Sequence, residues 1–253
     1  MYKHSHVLFV AQESCISLCY DPSGLPFVVK TASDLSDEIN TLSILANTGG
    51  HENLVSMVHN FTTNGKLHLV IEYCKDGDLL THLQKTNRLN VSQALLYFRQ
   101  IVNGLACLHK HGIAHRDMSL ENVFLHDGKC KIGDFGLSCD ANTIRGTVGK
   151  PMYMAPEVVI GTHSYDPKRA DIWSLGIILF IMLTGVPMFS IAAKSDKLFR
   201  AVHRQGIYPI LRICLKKGYM TQPLCDLLSN MLVVDPSHRI SIEAIVDKLS
   251  TFE

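Results

Sequence analysis

The residues best equipped for chemistry lie in one run, His115-Arg116-Asp117-Met118-Ser119-Leu120-Glu121-Asn122. A carboxylate and an amide five residues apart, on a loop ahead of the apolar Val123-Phe124-Leu125, can offer one oxygen to a substrate and another to a metal. Twelve residues after Asn122 comes a second acid on a turn, Asp134-Phe135-Gly136. Far upstream, Phe27-Val28-Val29-Lys30 reads as a short apolar strand that ends in an ammonium. Taken singly, each piece has a plainer explanation. A Lys at a strand end is often only solvated, and any one such motif can arise by chance.

The elements that must position these residues fall into strands first and helices afterwards. Val7-Leu8-Phe9-Val10 and Ile16-Ser17-Leu18-Cys19-Tyr20 read as strands, and Asp21-Pro22-Ser23-Gly24 is a turn signal before the strand Phe27 to Lys30. Leu35, Ile39, Leu42 and Leu45 form a stripe at helical spacing, with Ser33 or Asp34 available to cap its start. Asn64-Gly65 signals a hairpin into the strand Leu67 to Cys74. Gly77-Asp78-Leu79-Leu80 opens a helix with Asp78 as its cap, and Val91 to His109 is a long amphipathic helix running into the catalytic-looking loop. Asp171 to Phe180 is almost wholly apolar, which predicts a helix at the centre of a helical lobe, and residues 194–205 and 222–249 read as further helices.

A chain of 253 residues suffices for one large domain or two small lobes sharing a cleft. Its 24 basic and 23 acidic residues nearly cancel, so no nucleic-acid or acidic-surface partner is implied. The longest apolar run, Ile177 to Leu183, is broken by Thr184-Gly185 and Pro187, which predicts a buried helix and no membrane partner. The stretch Met1-Tyr2-Lys3-His4-Ser5-His6 has no apolar core behind it and no cleavage pattern, so no secretory signal is read. The eight Cys are scattered without a CxxC pair, which favours the reduced thiols of an intracellular, cytoplasmic protein over disulfides or a structural zinc. Nothing in the composition sets the oligomeric state.

The ordered set of motifs resembles the protein kinase family over nearly the whole chain. The carriers are Lys30, His115 to Asn122, Asp134-Phe135-Gly136, Ala155-Pro156-Glu157 and Asp171-Ile172-Trp173-Ser174-Leu175-Gly176. The resemblance implies an α+β fold of two lobes within 1–253. A small β-rich N-lobe with one helix (about 1–73) is joined by a hinge (about 72–77) to a large, mainly helical C-lobe (about 78–253). It implies transfer of a phosphoryl group from ATP to a protein Ser or Thr hydroxyl, with Asp117 as base and Lys30 on the first two phosphates. Glu38 would pair with Lys30; otherwise it is a surface acid favoured by a helix start. Asn122 and Asp134 would hold Mg2+. Val28 would lie above the adenine and Phe124 below it, with Ile71 as gatekeeper. Glu72 and Cys74 would offer backbone groups to the adenine edge, while Asp78 and Glu121 complete the nucleotide-facing set. His115 and Phe135 would stack with Leu42 and Met57, Asp171 would tie down the loop backbone, and Glu157 would pair with Arg239.

The departures from the family are local. The span Val10-Ala11-Gln12-Glu13-Ser14-Cys15-Ile16 holds no Gly where a Gly-rich loop is usual, and Glu13 would face phosphates. Only seven residues separate Lys30 from Glu38, which predicts a helix tethered close to its strand. Ser119 stands where a Lys is usual and Lys150 where a Thr is usual; either the hydroxyl and the ammonium exchange places and Lys150 reaches back beside the transferring phosphate, the favoured expectation, or Lys150 is solvated and the site defective. Arg116 could pair with a phosphorylated Thr147 or Thr143, although Gly146 holds the commonest offset. A pseudokinase scaffold with weak or no transfer is the competing reading. A small-molecule phosphotransferase is disfavoured by the peptide platform around Ala155-Pro156-Glu157.

Overall fold

Half-buried, β-branched runs at the front of the chain pair into one antiparallel sheet. The computed structural model describes residues 3–11, 14–142, 146–161 and 165–252. In it β1 (Lys3–Val10), β2 (Ser14–Tyr20), β3 (Pro26–Ala32), β4 (Met57–Thr63) and β5 (Lys66–Glu72) take the order β1-β2-β3-β5-β4. β3 is therefore internal. Lys30 faces Ile16 on one side and Leu69 on the other, and Val28 faces Leu18 and Ile71. Asn64 and Gly65, at φ 52° and 72°, give the β4–β5 hairpin the left-handed turn that suits sheet twist. Gln12 and Glu13, in the span without Gly, lie outside the described residues.

The helix α1 (Ser36–Asn47) crosses this sheet and buries Glu38, Thr41, Leu42 and Leu45 on one face. Of the two expected caps Asp34 does the work. Its Oδ1 accepts the Ser36 amide at 2.9 Å, although Leu35 occupies the cap position itself. Glu38 thus falls in the first turn, the short tether expected from the sequence.

The C-lobe follows as α2 (Leu79–Thr86), α3 (Val91–Lys110), the short strands β6 (Ile113–Ala114), β7 (Val123–His126), β8 (Lys129–Ile132) and β9 (Cys139–Asp140), and then helices α4 (Pro156–Ile160) to α9 (Ile242–Ser250). The α+β class and the two-lobe division expected from the resemblance are those observed. Asp78 caps α2 by accepting the Thr81 amide at 2.8 Å. α5 (Pro167–Thr184) is buried at every position from Ala170 onward, so it is the post around which the lobe packs. Among the described residues no helix is long and apolar enough to cross a membrane. Arg239 donates to Glu157 through Nη1 at 2.7 Å and Nη2 at 3.1 Å, the buried fork expected of that pair.

The helical tail differs in detail from its sequence reading. The helix expected over 194–205 begins as α6 (Lys197–Gln205), because Asp196 caps it by accepting the Leu198 and Phe199 amides. The 222–249 stretch splits into α8 (Gln222–Met231) and α9, separated by the Pro236–His238 turn. α7 (Tyr208–Lys216) went unread, although Pro209 in its first turn and buried Leu211 and Cys214 three apart are its signal.

The lobes meet where α3 passes beneath the loop before β4. A Cβ on Gly104 would lie 2.6 Å from the Asn53 carbonyl oxygen. Gly104→Ala is therefore expected to destabilise the fold by ~1–3 kcal/mol, the usual scale of overpacking, measured as a lower denaturant midpoint at unchanged m-value.

Candidate active site

Lys30 is fixed by its central strand and Glu38 by the buried face of α1, so their side chains meet inside the protein. Lys30 Nζ donates to Glu38 Oε1 at 2.9 Å and Oε2 at 2.8 Å, and to Asp134 Oδ1 at 2.8 Å. One ammonium thus joins the sheet, α1 and the turn Asp134-Phe135-Gly136. Burial works to lower the Lys30 pKa, but the carboxylates of Glu38 and Asp134 outweigh it and raise it above the usual range. Burial also pushes the Glu38 carboxyl up, and Lys30 and the Phe135 amide offset only part of that rise. For Asp134 burial is outweighed by Lys30, so its carboxyl sits below the usual range. Its side chain keeps 47% of its surface open, as befits a group lining a cleft.

The loop 115–122 is held from beneath by α5. Asp171 accepts the amides of His115 (Oδ2) and Arg116 (Oδ1), both at 2.8 Å, and its Oδ2 also lies 2.9 Å from His109 Nε2. His115 Nε2 lies 3.1 Å from the Gly133 carbonyl and its Nδ1 accepts the Asp117 amide at 3.2 Å. A carbonyl only accepts and an amide only donates, so the proton that His115 shares with Gly133 is on Nε2 and Nδ1 is the acceptor. Its ring stands 5.5 Å from that of Phe135, with both side chains buried. Arg116 and Asp134 both hold left-handed backbones, at φ 67° and 61°. A non-Gly residue there costs about 1–3 kcal/mol, and such positions cluster at functional sites.

Asp117 emerges from this loop into a ring of partners. Asn122 Nδ2 donates to the Asp117 carbonyl at 2.7 Å and to its Oδ2 at 2.8 Å. Lys150 Nζ donates to the same Oδ2 at 3.1 Å and to Ser119 Oγ at 2.9 Å. Ser119 and Lys150, 31 residues apart, are therefore in direct contact. Gly149 makes room for this approach: at φ 102°, it would place a Cβ 2.8 Å from the Arg116 carbonyl oxygen.

Between the lobes lies a cavity of about 570 Å³. Val28, Ile71 and Phe124 line it, as do Glu72, Cys74, Asp78, Glu121, Lys30, Glu38 and Asp134. Its mostly apolar walls suit a flat ring, and Lys30 is the cation among them that could meet an anionic group. The Glu72 amide donates to the Ser56 carbonyl at 3.1 Å, so of its two backbone groups the carbonyl is the one left for an adenine edge. Its side chain is engaged behind the hinge, with Oε1 accepting from Ser56 N, Ser56 Oγ and Lys131 Nζ at 2.7–3.0 Å. Burial pushes the Cys74 thiol up to about 12, so it serves as wall rather than nucleophile.

The sequence reading missed Ile16 and Val55, which also line the cavity, and Tyr153, whose hydroxyl lies 3.2 Å from Glu121 and 3.4 Å from the Leu120 amide. Ile16 was legible as the residue directly opposite Lys30 across a strand pair. Val55 and Tyr153 carry no signal of their own. Arg116 donates to the carbonyls of Leu137 and Gly146 and to the Tyr165 hydroxyl, and the Thr147 hydroxyl donates to the Val158 carbonyl at 3.1 Å. Thr143 lies outside the described residues.

The donor set fits Mg2+. Asn122 must turn its amide nitrogen to the Asp117 carbonyl, which leaves its oxygen as a hard ligand, and Lys30 takes only one oxygen of Asp134.

The family model describing the protein kinase domain matches residues 15–249. Over 201 residues, 77% of this chain, the sequence is 35% identical to a probable serine/threonine-protein kinase of Dictyostelium discoideum. It is 34% identical over 205 residues to CBL-interacting protein kinase 11 of Oryza sativa subsp. japonica and 32% identical over 219 residues to serine/threonine-protein kinase 33 of Mus musculus, 77% and 79% of this chain. The chain spans 23%, 38% and 43% of the lengths of these three relatives.

The charge arrangement has a sign that can be measured. A carboxyl raised by folding protonates first on acidification, so Glu38 should take up its proton above the ordinary Glu range. Asp134, lowered by folding, contributes stability above the ordinary Asp range and loses it only as pH falls through its depressed value. In Lys30→Met the largest opposition to burial is removed from both carboxyls and both are expected to move up. A carboxyl NMR titration in which Asp134 does not move would contradict this assignment.

Proposed function

The chain belongs to the protein kinase family, and on that premise we propose that it transfers the terminal phosphoryl group of ATP to a serine or threonine hydroxyl of a protein. The observation that carries the reading is the adjacency of two hydrogen-bonded pairs, Lys30 with Asp134 at 2.8 Å and Asn122 with Asp117 at 2.7–2.8 Å, linked where the Gly133 amide beside Asp134 donates to the Asn122 carbonyl at 3.0 Å. The adenine would lie between Val28 and Phe124, with the phosphates running toward Lys30. The acceptor hydroxyl gives its proton to Asp117 as its oxygen bonds the terminal phosphorus, and the bond from that phosphorus to the bridging oxygen breaks to release ADP. Mg2+, held by Asn122 and Asp134, would neutralise charge on the phosphates. Lys150 supplies a second cation beside Asp117, and Ser119 fixes its ammonium.

Binding partners without phosphoryl transfer is the second reading. It is favoured by the span from Val10 to Ile16, which holds none of the glycines that close over phosphates and in which Val10 is 66% exposed. The two readings separate in an ATP-consumption assay with generic Ser/Thr peptides. Asp117→Asn should lower turnover by ~10²–10⁴, the scale of a general base. Equal signals from the two proteins would overturn the enzymatic reading. In the same assay Lys150→Ala should lower kcat by on the order of tenfold or more with a smaller change in KM, as expected for charge stabilisation at the transferring group. An unchanged kcat would remove Lys150 from the machinery.

A further inference from the structure

Two hydroxyls outside the roles assigned above form a buried chain between α1 and the turn that carries Asp134. Thr41 lies three residues after Glu38, on the same face of α1, and is 4% exposed. Ser138 lies two residues after Gly136 and is 2% exposed. Their Oγ atoms are 2.7 Å apart, and Ser138 Oγ is 2.6 Å from the Phe135 carbonyl oxygen. The direction of the chain is forced. A carbonyl only accepts, so the Ser138 proton goes to Phe135 and the Thr41 proton goes to Ser138.

Phe135 is thereby tied to α1: its C=O is reached from Thr41 through Ser138, while its amide helps to hold the Glu38 carboxyl down against burial. This is the segment in which Asp134 holds its left-handed backbone. A hydrogen bond between two buried neutral hydroxyls adds little net stability, and an apolar pair of similar shape can be nearly as stable. What such a pair would lack is direction: it would pack α1 against the turn without fixing their register. We propose that Thr41 and Ser138 are positioning residues for phosphoryl transfer, a bolt that holds Glu38 and Asp134 in the one arrangement where both face Lys30. The role in turnover rests on the kinase reading above; the bolt itself does not.

The test uses Thr41→Val, Ser138→Ala, the double variant and Thr41→Ser in the full chain. Thr41→Val should lower kcat roughly tenfold, equivalent to ~1.4 kcal/mol, with a smaller change in the KM for ATP. Thr41→Ser, which keeps the hydroxyl, should restore kcat. The double variant should fall no further than the worse single, because either change breaks the same chain. Amide exchange over residues 134–139 should quicken in Thr41→Val at a temperature where the protein remains folded. An unchanged kcat, additive losses, or a Thr41→Ser protein as slow as Thr41→Val would overturn the proposal. If the parent protein transfers no phosphate, the kinase reading fails and the exchange measurement decides the bolt alone. Faster exchange then supports it, and unchanged exchange overturns it.

Discussion

A single ammonium holds the site together. Lys30 arrives on an internal strand, meets Glu38 from a helix and Asp134 from a turn in the other lobe, and bonds three carboxylate oxygens within 2.9 Å. Glu38 is buried, and a buried carboxylate without a cation is driven to protonate; Lys30 offsets part of that cost and the repulsion from Asp134 adds to it. The Lys30 ammonium is in turn kept charged by both carboxylates, so one cation ties the sheet and α1 to the turn in the other lobe. The short β3–α1 connection supports this by leaving Glu38 in the first turn of α1, little more than one strand end away from Lys30.

The second half of the site depends on α5 in a different way. From Ala170 onward that helix is buried at every position, and its buried carboxylate, Asp171, reaches the His115 and Arg116 amides. With His115 bonded to Gly133, the loop and the turn share a common support. Asp117 is consequently presented with its orientation already set, by Asn122 on one side and Lys150 on the other. Preorganisation of this kind is what lets a carboxylate and a cation act on a passing hydroxyl without reorganising first.

Much of this was legible in the sequence. Asp and Asn are ordinary loop residues, so Asp117, Asn122 and Asp134 were legible through their order and spacing between apolar segments and not through their types. The Ser119–Lys150 exchange was visible as two departures from one pattern, and the structure places the two side chains 2.9 Å apart. Other contacts left no trace. Thr41 and Ser138, or Glu72 with Ser56 and Lys131, are ordinary residues whose meaning arises only from neighbours far away in the chain. α7 was hidden for a different reason: at nine residues it is too short to build a convincing period, and its stability comes from packing Leu211 and Cys214.

The central claim is that the Lys30 ammonium organises the anionic end of the cleft for a magnesium-bound nucleotide. Calorimetric titration of MgATP into the parent protein and into Lys30→Met tests it most directly, with far-UV circular dichroism to verify that both are folded. The account expects the variant to keep its fold and to lose affinity by about tenfold or more, at ~1.4 kcal/mol per decade. Equal affinities in two folded proteins would contradict it.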